Sequence, residues 1–237
     1  MSRYLGEFLG TFALVFAGTG AIIVNDVSGG VIGHTGIALT LGLIVMTMIY
    51  AVGDVSGAHL NPAVSAGFWL ARRLPLRELG LYALSQLAGA MAVSLLWKAL
   101  YPEHPTLGAT LPAVAVAKAF ILEVVLTFLL MFVIIHVAVG TKERGLMAGV
   151  AVGGMVALAG IFAGLITGAS MNPARSLAPA LVSGNMGQLW IYLIAPVLGA
   201  CLAILSCRMM RTTDCYIVLE RDGRCAEGSW GNGSADP

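Results

Sequence analysis

The chain has 237 residues, of which 58% are hydrophobic and only 11% charged, with a formal net charge of +1. A soluble domain carries about a quarter charged residues, so this chain has too little polar surface to cover an aqueous exterior. The near-neutral balance gives no electrostatic footprint for nucleic acid or an acidic partner, which leaves membrane lipid as the expected surroundings.

Five stretches lack Asp, Glu, Lys and Arg altogether: residues 8–25, 27–53, 124–141, 145–174 and 176–207. A helix needs about 20 mostly apolar residues to cross a bilayer, and backbone polar groups in lipid must be paired internally. Taken in chain order, the pattern predicts six helical spans over residues 4–24, 35–52, 79–99, 117–139, 146–166 and 188–209. The first apolar run contains Gly6, Gly10, Gly18 and Gly20 and has no cleavage-site pattern after a short apolar core, so it is expected to be retained as a span.

Basic residues outside the spans fix an expected orientation. Arg3, then Arg72, Arg73 and Arg77, then Lys142 and Arg144, then Arg208 and Arg211 all fall on one side of a six-span arrangement. The connecting segments 25–34 and 101–116 on the other side have no Lys or Arg, while Lys98 and Lys118 sit at span ends where their stems can snorkel. Both termini are therefore expected in the cytoplasm, with the chain in the cell (inner) membrane. Residues 1–211 form the expected membrane domain, and the polar, Gly-rich segment 212–237 an expected disordered cytoplasmic tail.

Two segments do not fit simple spans. Ser56-Gly-Ala-His-Leu-Asn-Pro-Ala-Val-Ser65 and Thr167-Gly-Ala-Ser-Met-Asn-Pro-Ala-Arg-Ser176 are one motif written twice. The likeness extends upstream, where Glu7 in the first span matches Glu123 in the fourth. Each repeat, about 1–100 and 116–211, thus holds three spans and one Asn-Pro-Ala segment. Three is an odd number, so the second repeat must be inverted in the membrane. Inverted repeats with broken helices place a solute path at their interface.

The motif chemistry suits that geometry. Asn is a strong helix N-cap, and Pro suits the first helical position because its missing N–H would have been unpaired anyway. Asn61-Pro62-Ala63 and Asn172-Pro173-Ala174 are each expected to start a half-helix, over residues too few to cross the bilayer. Two such N-termini meeting in mid-membrane present positive partial charge, which repels cations and protons, and amide N–H donors for a passing oxygen. Arg175 lies three residues after Asn172 and shares its helix face. A charge there is a functional feature by default.

Two Asn-Pro-Ala motifs in six spans, with Glu7 and Glu123 and the adjoining Arg175, resemble the aquaporin (major intrinsic protein) family over residues 3–208. The resemblance implies an all-α membrane fold of six transmembrane helices and two re-entrant half-helices, one pore per subunit, and a homotetramer. It also implies a second constriction at Leu41, Gly160, Ala169 and Arg175. Water-selective members have Phe where Leu41 stands and His where Gly160 stands. Ser176 replaces the Asp that glycerol facilitators place after the filter Arg, and Tyr192-Leu193 stands at a pair that is doubly aromatic in many water channels. The combination is closest in character to nodulin-like intrinsic proteins and their bacterial relatives, and a bacterial member of that kind is the expectation. Such relatives pass water, glycerol, urea and neutral metalloid acids such as arsenous or boric acid.

Other residues take plainer readings. Glu7 and Glu123 are expected to accept N–H groups left unpaired by the loops, and His59 to pack the first loop rather than gate it. His34, His104 and His136 are dispersed, and neither a metal nor a cofactor is expected. Met46, Met48, Met131 and Met155 read as packing residues, and Gly10, Gly18, Gly42, Gly89, Gly149, Gly153 and Gly199 as sites of close helix approach. Cys201, Cys207, Cys215 and Cys225 lack the paired spacing of a zinc site and read as reduced or lipid-facing thiols, the tail pair being possible soft ligands for arsenite. A water-selective pore is the alternative to a broader one. A secondary transporter would need a coupling-ion site, for which only Glu7 and Glu123 are candidates. An enzyme would need a nucleophilic or metal cluster, and a junctional protein would leave Arg175 and both motifs without a purpose. Solute flux is therefore expected to run downhill, unaffected by proton or sodium gradients. In proteoliposomes, uptake that stops when ionophores dissipate both gradients would exclude a channel.

Overall fold

The computed structural model describes residues 1–138 and 145–210. Lys142, Arg144 and Arg211, the end of the fourth predicted span at Val139, the tail cysteines Cys215 and Cys225 and the expected tail 212–237 lie outside the described residues. Eight helices carry the described fold: α1 (Ser2–Val27), α2 (Gly33–Ser56), α3 (Pro62–Leu70), α4 (Leu76–Leu100), α5 (Val116–Val137), α6 (Ala148–Thr167), α7 (Pro173–Ser183) and α8 (Leu189–Met209). All but α3 and α7 have 20 or more residues and are apolar enough to span a membrane, which makes six spans among the described residues. The two short helices have 9 and 11 residues. The predicted spans all appear, extended by up to four residues at several ends.

The surface is inverted relative to a soluble protein. Leu39, Leu43, Leu84, Leu158, Phe162, Leu165, Ile194 and Leu198 are exposed along the helices, whereas Glu7, Gln86, Asn61, Glu123, Asn172 and Arg175 are buried. Lipid can solvate the first set, and the second set must be satisfied inside the protein.

The packing repeats. α1 lies against α2 and α4, as α5 lies against α6 and α8. α2 and α6 pair with each other across the axis between the repeats. Each half-helix packs against the last long helix of both repeats: α3 on α4 and α8, α7 on α8 and α4. Small residues set these distances, because association in lipid relies on close van der Waals packing. A Cβ at Gly42 would lie 2.5 Å from the Gly153 carbonyl oxygen, and one at Gly153 would lie 2.6 Å from the Gly42 carbonyl oxygen. Gly89 meets the Phe8 carbonyl in the same way, and Gly199 the Val124 carbonyl. These glycines therefore act as expected.

On one face of the bundle Arg3 meets Glu78 at 3.4 Å, and the Arg208 guanidinium donates to the Leu70 carbonyl at the end of α3. Two residues of the expected basic side are thus tied to the start of α4 and the end of α3. Cys201 is a free thiol, but Cys207, buried near the end of α8, is disulfide-bonded, which departs from the expected reduced state: burial in the last apolar run does not by itself keep a thiol from pairing.

Adjacent glycines on α6 give a direct check of the packing. Nothing lies within 4 Å of a Cβ at Gly154, unlike Gly153. Gly153→Ala is expected to destabilise the detergent-solubilised protein by about 1–3 kcal/mol, the usual penalty of overpacking. Gly154→Ala should melt like the parent chain. Fluorescence-detected size exclusion after heating separates the two outcomes.

Candidate functional site: a pore at the junction of the repeats

α2 ends at Gly57 and α6 at Gly168, both left-handed, with φ of 83° and 84°. Glycine takes this conformation without a Cβ penalty and stops the helix. The next residues alternate. Ala58 (φ 47°) and Leu60 (φ 52°) are left-handed in the first repeat, as are Ala169 (φ 40°) and Met171 (φ 52°) in the second. Such non-Gly conformations cost of order 1–3 kcal/mol each and persist only where the surroundings impose them.

The surroundings are two buried carboxylates. Glu7 accepts hydrogen bonds from the His59 N–H (2.9 Å), the Leu60 N–H (2.7 Å) and the Gln86 amide (2.7 Å). Glu123 accepts from the Ser170 N–H (3.0 Å), the Met171 N–H (2.9 Å) and the Thr167 hydroxyl (2.7 Å). Both carboxylates are fully buried. Their oxygens face the inner side of the re-entrant loops rather than the cavity, which is the structural position expected of them. Tyr82 and Tyr192 add a matched pair of braces, their hydroxyls donating to the Ser56 carbonyl (2.7 Å) and the Thr167 carbonyl (2.6 Å).

After each loop an extended Asn starts a half-helix. The Asn61 side-chain oxygen accepts from Ala63 N–H at 2.9 Å; the Asn172 oxygen accepts from Ala174 N–H at 3.0 Å and Arg175 N–H at 3.4 Å. Pro62 and Pro173 take the first helical position in α3 and α7. The Asn amides then cross between the repeats: Asn61 Nδ2 donates to the Met171 carbonyl (2.7 Å) and Asn172 Nδ2 to the Leu60 carbonyl (2.9 Å). The two half-helix N-termini are thereby tied tip to tip.

A cavity runs past this junction. Asn61 and Asn172 line it, together with the loop residues 57–60 and 169–171. The opposite wall is apolar, formed by Leu14, Val45, Ile49, Leu130, Ile134, Val152 and Val156. Leu41, Ala169 and Arg175 also line it. Ala63 and Ala174 are buried behind the caps, within α3 and α7. Gly160 is the expected filter residue that is absent from the lining. It faces α2, where a Cβ would lie 2.9 Å from Ala38 Cβ. His59 lines the cavity and is packed as expected, stacked on Phe68 with ring centroids 4.4 Å apart and bonded through Nδ1 to Ser65 Oγ at 3.1 Å.

Arg175 is buried, and its Nη1 donates to the Gly108 carbonyl at 3.4 Å. Its Nε has no hydrogen-bond partner among the described residues. Beside it runs a chain of hydroxyls, in which Thr110 donates to Ser176 (2.7 Å) and Ser176 is bonded to Ser170. The described residues contain no cluster of His, Cys, Asp or Glu able to hold a metal ion.

The family model "Major intrinsic protein" matches residues 1–206. The chain belongs to the major intrinsic protein family. It is similar to aquaporin NIP1-4 of Oryza sativa subsp. japonica, with 49% identity over 214 residues, covering 90% of this chain and 78% of the relative. Aquaporin NIP3-1 of Arabidopsis thaliana is 40% identical over 221 residues, covering 90% and 68% of the two chains. Among solved structures, the aquaglyceroporin from Plasmodium falciparum matches with a TM-score of 0.75 and 28% identity, over 85% of this chain and 93% of that one. A passive membrane channel for small solutes is what this family membership amounts to, and the family consists of channels rather than enzymes.

Sequence reasoning had no hold on several residues of this major intrinsic protein. Gln86 completes the Glu7 shell from α4, at the place where the second repeat has Pro196. A buried Gln in an apolar run was the available signal. Gly108 and Thr110 reach Arg175 and Ser176 from the α4–α5 connection, in a segment with no periodicity to mark it.

Removing an Asn opens three vacancies at once: the cap acceptor, the cross-repeat donor and the pore-facing amide. Asn61→Ala and Asn172→Ala are each expected to cost about 0.5–2 kcal/mol in local capping. Permeability should fall in both, and further in the double variant. Unchanged stopped-flow rates in folded single and double variants would remove the Asn side chains from the conduction path.

Proposed function

We propose that this channel conducts glycerol, urea and neutral metalloid acids, arsenous or boric acid among them, as well as water. The observation that carries the reading is the chemistry at the cavity end near Arg175. One wall offers a fixed guanidinium with an unpartnered Nε, while Leu41 and Ala169 offer an apolar and a small surface. A polyhydroxy solute has hydroxyls for the first and a carbon skeleton or open volume for the second. Arg presents a planar fork of donors, so it can hold two hydroxyls together. Gly160 supplies no side chain, and no His donor stands there to complete a narrow polar ring.

In this reading Asn61 and Asn172 hand the solute oxygen from the Arg175 filter to the midplane, and the two half-helix dipoles exclude cations. Glu7, Glu123 and His59 support the loops and carry no solute. The chain's similarity to aquaporins of Oryza sativa and Arabidopsis thaliana and to an aquaglyceroporin supports a pore of this breadth. The channel domain would comprise residues 1–211, with 212–237 as a cytoplasmic tail. The basic face bearing Arg3, Arg72, Arg73, Arg77 and Arg208 would face the cytoplasm of the inner membrane, following the positive-inside bias. A homotetramer with one pore per subunit is the proposed assembly.

The test is solute competition by size at Leu41. Leu41→Phe should cut glycerol and arsenous acid permeability roughly tenfold or more, the range that a steric pocket contact commands, while water continues to pass. Gly160→His would add a donor only after Ala38 gives way, so it should be paired with Ala38→Gly. Stopped-flow assays on proteoliposomes measure all three solutes. Wild-type protein that passes water alone would favour the water-selective alternative.

A further inference from the structure

One face of α1 borders the pore. Leu14 lines the cavity, and Gly10 and Gly18 lie one turn to either side of it. These two glycines differ from Gly42, Gly89, Gly153 and Gly199, where an added Cβ would meet the backbone of a facing helix. A Cβ at Gly10 would lie 2.4 Å from Leu60 Cδ2, and one at Gly18 would lie 2.4 Å from Leu41 Cδ2 and 3.3 Å from Leu41 Cγ. Leu60 and Leu41 both line the cavity. α1 thus presents a recess, a side chain and a second recess, and each recess takes the tip of a leucine that borders the pore. The close approach expected at Gly10 and Gly18 is made by a side chain rather than by a helix.

We propose that Gly18 is a positioning residue that sets the width of the pore, by holding open the recess into which Leu41 withdraws. The proposal rests on the reading of Leu41 as part of the constriction. Carbon atoms in contact ordinarily lie about 3.5–4.0 Å apart. A methyl group at position 18 would therefore require the Leu41 tip to retreat by about 1 Å or more. Beyond its own turn of helix, that methyl group meets Leu41 alone within 4 Å among the described residues. The whole displacement falls on one side chain.

The α2 backbone cannot retreat in its place. At the next residue, Gly42, a Cβ would lie 2.5 Å from the Gly153 carbonyl oxygen, and a Cβ at Gly160 would lie 2.9 Å from Ala38 Cβ, so α2 is already seated hard against α6. Leu41 yields instead by turning its side chain to another staggered rotamer. The cavity is the open space that it borders. The displaced tip takes volume from the path of the solute, and the loss is graded by size: glycerol is affected most, urea less and water least.

The experiment is stopped-flow permeability of the full chain in proteoliposomes to water, urea and glycerol, for wild type, Gly18→Ala, Leu41→Ala and the double variant. Gly20→Ala is the control. Gly20 is also buried on α1, but its Cβ would lie 2.6 Å from Cζ2 of Trp97, a residue of α4 that does not line the cavity. Gly18→Ala should lower glycerol permeability about tenfold, the low end of what one methylene commands in a tight apolar pocket, and water far less. In the Leu41→Ala background the same methyl group has no leucine to displace, so the glycerol-to-water ratio should not change on adding it. Gly20→Ala should keep the wild-type ratio whatever it does to stability. Unchanged or equally lowered permeability to all three solutes in Gly18→Ala, a loss that persists in the Leu41→Ala background, or the same change of ratio in Gly20→Ala would each overturn the proposal. So would a Gly18→Ala chain that does not elute as a folded species on size exclusion, because the leucine would then have no room to yield. A wild type that passes water alone would sink the broader solute range instead. The same four chains read on water flux would then decide the role of Gly18, through a fall in Gly18→Ala that vanishes in the Leu41→Ala background.

Discussion

A backbone N–H with nowhere to go is the governing constraint in this molecule. Inside a bilayer no water can satisfy it, and each one left open costs several kcal/mol. A pore loop that stops halfway across the membrane creates such groups by necessity. Glu7 and Glu123 answer this by each taking two consecutive N–H groups and one side-chain donor. Everything at the midplane depends on that arrangement. With the N–H groups fixed, the loops hold their alternating left-handed residues; with the loops held, Asn61 and Asn172 reach their caps and each other's repeat. A buried carboxylate is otherwise a poor choice in lipid, and here its burial is offset by three donors.

The two repeats share this frame and differ at a few equivalent positions, which is where the pore gains its direction. Val64 follows the first Asn-Pro-Ala and Arg175 the second. One half thus gives the cavity an apolar residue at the place where the other gives it a fixed cation. His59 and Ser170 are similarly paired: the first fills its side with an aromatic stack on Phe68, and the second joins a run of hydroxyls ending at Thr110. Gln86 and Pro196 form a third such pair. The inverted symmetry builds the channel, and these substitutions make its two entrances chemically distinct.

How much of this could be read in the chain itself follows from where each signal resides. The six spans were legible because lipid demands long uncharged runs, and the half-helices because Asn-Pro-Ala is both a cap and a repeat. The roles of Glu7 and Glu123 could be reasoned from the need to satisfy loop N–H groups. Partners that arrive from distant helices were not legible. Tyr192 stood out only as half of a residue pair, and its hydrogen bond to the Thr167 carbonyl depends on how α8 crosses α6. Gly160 shows a different limit of the sequence. Counting back along α6 gives its place in the chain but not its facing, which is set by the contact with Ala38 on α2. Cys207 reads as a reduced or lipid-facing thiol from its spacing and its place in the last apolar run, and neither signal says what the end of α8 meets.

The crossed seating of the half-helices bears on how the chain is made. α3 rests on α8 and α7 rests on α4, so each re-entrant segment lies partly in a cradle built by the other half. As the ribosome delivers the chain, α3 emerges more than a hundred residues ahead of α8, and the Asn61 amide meets its acceptor at Met171 only after α6 has been threaded. The first half alone therefore lacks the partner of its pore-loop tip. Glu7 and the loop N–H groups it accepts from all belong to the first repeat, so that part of the frame needs nothing from the second half.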